Sequence, residues 1–294
     1  MDYLSSLPEG LVSDILVYLK SPRDVCRSSA ISWGFKSAAD SDAVWDRYLP
    51  SDYREVILRS VSPLDFSSKK HLYFLLADSP LLLDGGKLSF TLDKESGKKC
   101  YMLGPRELTI IWGDAPQYWP WISLCQSRFS EVLKLLSVCW LDIKGKIETR
   151  LLSPKTTYLA FLVFKFVRRN RGFEFLPAKA SVRFVGDEEK KSSTVYLKLG
   201  PSTPLTSEGQ SGRFPQERKD KWMEIELGEF FNDEGDDGEV VMQLMETERV
   251  SVWGKVSKAT EVRTGRRELR RCREVVGERM EWEAGVEGVD LRPE

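Results

Sequence analysis

The first fifty residues carry more apolar surface than a few short helices can bury among themselves, and this excess limits what the chain can fold into. Pro8 suits the first turn of a helix, where its missing N–H costs no hydrogen bond. Ser21 and Ser41 can cap two further helices, the last of which ends at Pro50. A three-helix unit of this size is marginal as an independent fold. The first helix carries a broad apolar stripe made of Leu11, Val12, Ile15, Leu16 and Leu19.

Composition limits the classes of function. The chain has 294 residues, room for two domains, and its formal net charge of -1 gives no field that attracts nucleic acid or a membrane. No apolar run approaches the ~20 residues needed to span a bilayer, and the acidic start shows no secretory signal. The five cysteines are scattered and odd in number, which favours reduced thiols in the cytoplasm or nucleus.

Catalytic chemistry finds little support. His71 is the only histidine and lies beside two lysines, which is typical of a surface residue. Without a second histidine, the usual Ser–His and Cys–His arrangements would all depend on this one side chain. No cysteine pair has zinc spacing, and no carboxylate pair stands out, which leaves a glycosidase-like enzyme as a minor alternative. We expect no catalytic residue, no metal and no cofactor.

The period of the apolar residues changes from helical to alternating after Gly86. Helices are predicted over 53–61 and 66–77 before this point. Many short strands separated by turn residues then indicate an all-β sandwich or jelly roll. The predicted strands cover 88–92, 100–103, 108–112, 141–147, 158–167, 180–185, 194–199, 222–227, 240–245 and 288–291.

Three polar segments interrupt this β region. Residues 201–220 are rich in Ser, Gly and Pro, which predicts mobility. Residues 232–239 are acidic but lack calcium-loop spacing, so a solvated turn is expected. Residues 254–281 contain an arginine-rich stretch that could form a basic patch. Glutamates interrupt its positive charge, so we expect an irregular insertion or a solvated helix, and no nucleic-acid binding.

Two tryptophans flank a turn in the β region. Trp112 and Trp119 are seven residues apart, with Gly113 and Asp114 between them. Indole rings offer flat apolar faces that suit a sugar, and nearby carboxylates and amides could bind its hydroxyls. The alternative is that both rings belong to the core.

The N-terminal pattern, over residues 4–50, resembles an F-box, the adaptor module that docks on the linker subunit of cullin-type ubiquitin ligases. The resemblance implies that a Leu-Pro pair and an Ile-Leu pair sit in a groove of that subunit. Further anchors are implied at a valine and a tryptophan. The alternative is an ordinary helical cap on the rest of the chain. The implied docking residues are Leu7, Pro8, Ile15, Leu16, Val25 and Trp45.

The β region resembles the plant phloem protein 2 lectins. The shared motifs include Trp112-Gly-Asp, Ser127-Arg-Phe and Trp222-Met-Glu, in the family's order. The resemblance implies a jelly-roll-like domain that binds N-acetylglucosamine oligomers or N-glycan cores. It implies sugar contacts from Trp112 and Trp119, with Glu246 as a third contact. The chain departs from the family at residues 254–281, which precede the last strand.

The sequence therefore predicts an α+β multidomain chain with a small three-helix F-box in front of an all-β lectin-like sandwich. The predicted boundaries are 1–50 for the F-box, 51–86 for a helical linker and 87–294 for the β domain, with the insertion at 254–281. We expect a non-catalytic adaptor that selects clients for a ligase in the cytoplasm or nucleus. The expected partners are the linker subunit, through it the cullin, a client protein or glycoprotein, and N-acetylglucosamine oligomers. The alternative is a lectin without a ligase role.

Overall fold

The computed structural model describes residues 7–19, 21–138, 140–166, 177–187, 191–197, 212–246 and 280–294. Six helices lie in the first part of this chain, and among the described helices none is long and apolar enough to cross a bilayer. Their bounds are α1 Glu9–Val17, α2 Pro22–Ser28, α3 Trp33–Asp40, α4 Asp42–Asp46, α5 Tyr53–Leu58 and α6 Lys69–Asp78.

The N-terminal unit has four helices where the sequence predicted three. Ser21 caps α2 as expected, since its hydroxyl accepts a hydrogen bond from the backbone N–H of Arg23. The additional helix is α3, capped in the same way by Ser32. Ser41 precedes α4, but its side chain makes no capping hydrogen bond. The start of α6 is set by Ser68, whose hydroxyl accepts from the N–H of His71.

Fourteen strands are described after α6. They are β1 Leu81–Leu83, β2 Leu88–Leu92, β3 Lys99–Leu103, β4 Thr109–Ile110, β5 Trp121–Ile122, β6 Val132–Val138, β7 Leu141–Glu148, β8 Thr156–Phe166, β9 Pro177–Phe184, β10 Ser193–Tyr196, β11 Gln216–Glu217, β12 Met223–Asn232, β13 Glu239–Glu246 and β14 Met280–Pro293.

These strands form a β-sandwich, which confirms the predicted fold class. The nine-stranded sheet has the order β1-β2-β3-β14-β8-β12-β11, with β6 pairing to β14 and β5 to β6. The five-stranded sheet has the order β10-β9-β13-β7-β4. Alternate residues of β8, such as Tyr158, Ala160 and Leu162, are buried between the sheets, as the period of two requires.

Several strands differ from their predictions. The expected strand over 108–112 is only two residues long, because Trp112 has a positive φ of 56° that ends the extended run. The predicted helical linker over 51–86 is not wholly helical, since it contains β1. The described ranges omit 198–211 and 247–279, so most of the predicted mobile segment and nearly all of the predicted insertion lie outside them.

The last strand of the chain occupies the middle of the larger sheet. β14 pairs with β3 on one side and with β8 on the other. Its register shifts between Val286 and Gly288, where φ is 155°. A Cβ atom on Gly288 would lie 2.0 Å from the carbonyl oxygen of Leu103 in β3. Only glycine allows the two strands to approach this closely.

The helices and the sandwich share one continuous core. Tyr73 of α6 is fully buried and its hydroxyl donates to the carbonyl of Asp93, in the turn that joins β2 to β3. The Trp45 ring lies 5.2 Å from the Tyr73 ring, between centroids, which joins α4 to the same cluster. Tyr48 also donates from its hydroxyl to the carbonyl of Leu19. The N-terminal unit is therefore packed onto the sandwich through α6.

We predict that Gly288→Ala lowers the free energy of unfolding by about 2–4 kcal/mol, because the methyl group forces backbone strain and overpacking against Leu103. Gly285→Ala, in the same strand, is the matched control, since its Cβ would meet the nearest atom at 3.4 Å. Urea denaturation of both variants measures the difference. Equal midpoints for the two variants would contradict the close approach of β14 to β3.

Candidate functional site

The first candidate site is an apolar face on the outside of α1. Leu11 and Ile15 are 52% and 50% exposed, and Tyr18, just after the helix, is 81% exposed. Val12 and Leu16 point the other way and are buried. The stripe read from the sequence is thus split, with one half inside the bundle and the other half on the surface. We call Leu11, Ile15 and Tyr18 the α1 face.

The predicted docking residues fall into two groups. Leu7 is partly buried, while Pro8 and Ile15 are exposed. Leu16, Val25 and Trp45 are buried in the bundle, where the Trp45 indole donates to the carbonyl of Ala39 over 2.7 Å. The structure gives this second group a packing role that fixes the shape of the helical unit.

Trp33 is an exposed aromatic residue that the sequence reasoning missed. It begins α3 and is 83% exposed, with the Lys36 ammonium 5.0 Å from its ring centroid. α1 and α3 pack together, and the Ser37 hydroxyl donates to the carboxylate of Glu9 at the start of α1 over 2.6 Å. The signal that could have found it is Ser32, a residue type that suits a helix cap. A helix predicted to begin after Ser32 has Trp33 as its first residue.

The second candidate site is a cluster of aromatic rings at one end of the sandwich. The centroid of Trp112 lies 4.6 Å from that of Trp140 and 5.7 Å from that of Tyr118. All three side chains are partly exposed. Trp140, in the turn between β6 and β7, was not among the predicted sugar contacts. We call Trp112, Tyr118 and Trp140 the aromatic cluster.

The segment that carries this cluster is held to both sheets. The N–H of Ile111 donates to the carbonyl of Asp142 in β7, which belongs to the five-stranded sheet. The N–H of Leu136 in β6 donates to the carbonyl of Tyr118 over 2.8 Å, and β6 belongs to the larger sheet. The cluster therefore lies where the two sheets meet, on a fixed backbone.

The two predicted tryptophans have different environments. Trp119 is fully buried, and its indole N–H donates to the carbonyl of Ile111 over 3.1 Å. Its ring therefore faces the core, whereas Trp112 faces partly outward. Glu246 is also buried, and it pairs with Leu141 across β13 and β7, one residue from Trp140. The structure thus brings all three predicted residues to one end of the sandwich.

Polar residues lie close in the chain to the members of the aromatic cluster. Asp142 accepts hydrogen bonds from Lys144 over 2.8 Å and from Gln243 over 2.7 Å, so its carboxylate is held in one orientation. Asp114 and Gln117 are exposed on the segment between Trp112 and Tyr118. Flat rings beside fixed and exposed hydrogen-bonding groups can contact both the apolar face and the hydroxyls of a sugar.

Residues suited to catalysis or metal binding are not gathered in either site. His71 is exposed, and its Nδ1 accepts a hydrogen bond from the N–H of Ser67 over 3.3 Å at the start of α6. Within the described ranges, no three His, Cys, Asp or Glu side chains form a group that could hold a metal ion.

We predict that Trp119→Ala acts mainly on stability and lowers the free energy of unfolding by about 3–5 kcal/mol, because it removes a buried ring and its hydrogen bond. Trp112→Ala is the comparison, with a smaller expected loss, since its side chain is partly exposed. Urea denaturation of both variants checks this difference. A larger loss for Trp112→Ala would contradict the burial described for Trp119.

Comparisons with known proteins agree with both parts of the fold. The family described as phloem protein 2 matches residues 98–256, more than half of the chain, and the family described as F-box-like matches residues 4–51. The chain belongs to the family of F-box proteins that carry a phloem protein 2 domain. Both matches confirm the resemblance on which the sequence analysis relied.

Relatives of the whole chain occur in Arabidopsis thaliana. The F-box protein PP2-B10 is 43% identical over 248 residues, which cover 84% of this chain and 88% of that protein. The F-box protein At2g02240 is 45% identical over 229 residues, which cover 78% of this chain and 70% of that protein. Their order of parts therefore agrees with the one described above.

TmCBM61 in complex with beta-1,4-galactotriose covers 66% of this chain and 88% of its own, at 10% identity and a TM-score of 0.27. An overlap of this size carries no argument about function.

Proposed function

We propose that this chain is a substrate-recognition adaptor of a cullin-RING ubiquitin ligase. Residues 1–50 dock on the linker subunit, and the domain over 87–294 selects the client. Residues 51–86 connect these two parts. Ubiquitin transfer is carried out by other subunits, so the chain needs no catalytic residue. The observation that carries the proposal is the α1 face, which is apolar and exposed in a segment of the F-box-like family.

The energetics of the α1 face support docking. Covering an exposed Leu or Ile side chain contributes roughly 1.5–3 kcal/mol. Leu11, Ile15 and Tyr18 lie on one surface whose backbone is fixed by the buried side chains behind it. Trp33 adds a large aromatic anchor of the kind enriched at binding hot spots. We propose that Leu7, Pro8 and Ile15 contact the linker subunit directly, and that Leu16, Val25 and Trp45 support them from the bundle.

The cysteines are consistent with a reducing compartment. Cys26, Cys100 and Cys125 are free thiols in the described part of the chain. Burial raises the pKa of the Cys100 thiol to about 12, so this group stays protonated and unreactive at neutral pH. We propose the cytoplasm or the nucleus as the place of action.

The docking test compares two exposed apolar positions. Ile15→Glu is expected to lower co-precipitation of the linker subunit and the cullin at least about tenfold, because it loses apolar burial and places a charge in the interface. Leu58→Glu is the matched control, since Leu58 is 84% exposed on α5, outside the F-box segment. Unchanged recovery with Ile15→Glu, while Leu58→Glu behaves as wild type, would refute docking through α1.

A second candidate function is carbohydrate binding, either as the means of client selection or as a lectin activity without a ligase role. The observation that favours it is the aromatic cluster, whose rings and polar neighbours suit N-acetylglucosamine oligomers. Trp112 is the proposed contact, and the buried Trp119 and Glu246 support it from within the sandwich. Client glycoproteins would then be recognised through their N-glycan cores.

The sugar test measures both sugar binding and docking for each variant, so that the two functions can be separated. Trp112→Ala is expected to weaken binding of chitotriose at least about tenfold in calorimetry, because stacking on a ring is lost, while leaving co-precipitation of the linker subunit intact. Trp33→Ala removes an exposed indole from the helical unit and is expected to show the opposite pattern. Chitotriose binding that survives Trp112→Ala, or that is equally reduced by Trp33→Ala, would argue against the aromatic cluster.

A further inference from the structure

A pocket of about 570 Å³ lies on the outer face of the nine-stranded sheet, apart from both candidate sites. Its floor is formed by β8, β12 and β14, which contribute Phe161, Glu226 and Arg292. Its wall is the segment that leads into β11. The lining side chains are all at least partly exposed. The volume lies in the range of small-molecule sites, which is about 300–1,000 Å³.

The strand register assigns the floor to the outer face. Alternate residues of β8, beginning with Tyr158, are buried between the sheets, so Leu159 and Phe161 point outward. Glu226 of β12 pairs with Phe161 on one side, and Asp290 of β14 pairs with it on the other. The floor is therefore an aromatic side chain flanked by two carboxylates.

The adjoining part of this face is covered by the chain itself. Val163, the next outward residue of β8, is fully buried together with Trp222 and Phe129. The Trp222 indole donates to the carbonyl of Gln126 over 3.2 Å, which holds the covering segment on the sheet. This packing ends at Phe161, which is partly exposed, and the pocket begins there.

The wall of the pocket is attached to both sheets. The Phe214 ring stacks on Tyr196 of β10, with 5.2 Å between centroids and 16° between planes. A Cβ atom on Gly212 would lie 2.5 Å from the same tyrosine ring, so only glycine lets the segment lie this close. On the other side, Gln216 pairs with Glu224 in β12. The wall is therefore fixed relative to the floor before any ligand binds.

The charges of the lining are paired within it. Arg292 donates to Glu224 over 2.7 Å, and the guanidinium of Arg213 lies 3.0 Å from the carboxylate of Glu226. Three carboxylate side chains and two guanidinium groups line the pocket, which leaves an excess of one negative charge. A lining so close to neutrality favours a neutral ligand over a strongly charged one.

A second guanidinium fixes these polar groups from behind. Arg218 donates to Asp290 over 2.8 Å, and their side chains are only 14% and 8% exposed. The same guanidinium lies 3.4 Å from Glu224, so this carboxylate is held between Arg218 and Arg292. Groups that are already oriented lose little conformational freedom when a ligand binds.

The exposed chemistry of the pocket suits a sugar. Leu159 and Phe161 offer apolar surface to the C–H face of a pyranose ring. The Arg292 guanidinium carbon lies 4.1 Å from the centroid of Phe161, so hydrogen-bond donors stand next to that surface. Carboxylates only accept hydrogen bonds, and Glu224 and Glu226 therefore favour hydroxyl groups, which can donate. This preference points to hexoses without N-acetyl substituents.

A peptide strand fits this position less well. A peptide that extends a sheet needs the unpaired N–H and C=O groups of an edge strand. β8, which carries the centre of the floor, is paired with β14 on one side and with β12 on the other. Recognition in this pocket therefore takes place through side chains.

We propose that this pocket binds a neutral hexose oligosaccharide. The proposal is independent of docking through α1 and of chitotriose binding at the aromatic cluster, whose three members do not line the pocket. It gives the chain a second glycan-binding surface, and two such surfaces strengthen attachment to a client that carries several glycans.

Calorimetry of the full chain with cellotriose and mannotriose tests the proposal. The chain binds at least one of the two, and Trp112→Ala leaves this binding unchanged. Phe161→Ala/Glu226→Gln weakens it at least about tenfold, because a ring and a charged acceptor are lost. Gln216→Ala, at an exposed side chain of the wall, weakens it about threefold and decides the test if the double variant loses its thermal unfolding transition.

The matched control is Phe231→Ala/Glu229→Gln, which removes the same two side-chain types from exposed positions of β12 outside the pocket. This variant binds like wild type. The proposal is overturned by an equal loss in the control, by loss of hexose binding in Trp112→Ala, or by the absence of binding to both sugars. The neutral peptide acetyl-Ala-Ser-Gln-Ser-Ala-amide is a further probe, and its binding in place of the sugars also overturns the proposal.

Discussion

The contact between Trp45 and Tyr73 joins the two halves of this molecule, and the positions of all its candidate sites depend on it. Trp45 belongs to the N-terminal helical unit, and Tyr73 belongs to α6, which packs on β2. Both rings are fully buried, and the Tyr73 hydroxyl is fixed to the turn after β2. The direction of the sandwich relative to the α1 face is therefore set by this contact.

The predictions from the sequence succeeded where one periodicity dominates. The alternation in 141–147 and 222–227 gave β7 and the first half of β12, and the apolar run at 158–167 gave β8. They failed where the element is defined by its neighbours. β1 and β11 are two or three residues long and exist only through pairing, and α3 contains Gly34 and Ser37, which weaken a helical signal.

The candidate sites show a similar limit. Helical spacing placed Ile15 and Leu16 on one stripe, but it could not say that Leu16 turns inward and Ile15 outward, because that depends on where α3 packs. The motif also assigned Trp112 and Trp119 the same role, whereas the structure buries Trp119 and leaves Trp112 partly exposed. Trp140 was not predicted as a sugar contact, because it lies 28 residues from Trp112 in the chain and meets it only in the folded sandwich.

The central position of β14 has a consequence for synthesis of the protein. The strand that lies between β3 and β8 is synthesised after both of these neighbours and after the six helices. A product that stops before Met280 would present the helical unit together with three groups of strands, β1-β2-β3, β8-β12-β11 and β5-β6, that lack their common neighbour. Such a fragment would carry the α1 face without a complete larger sheet.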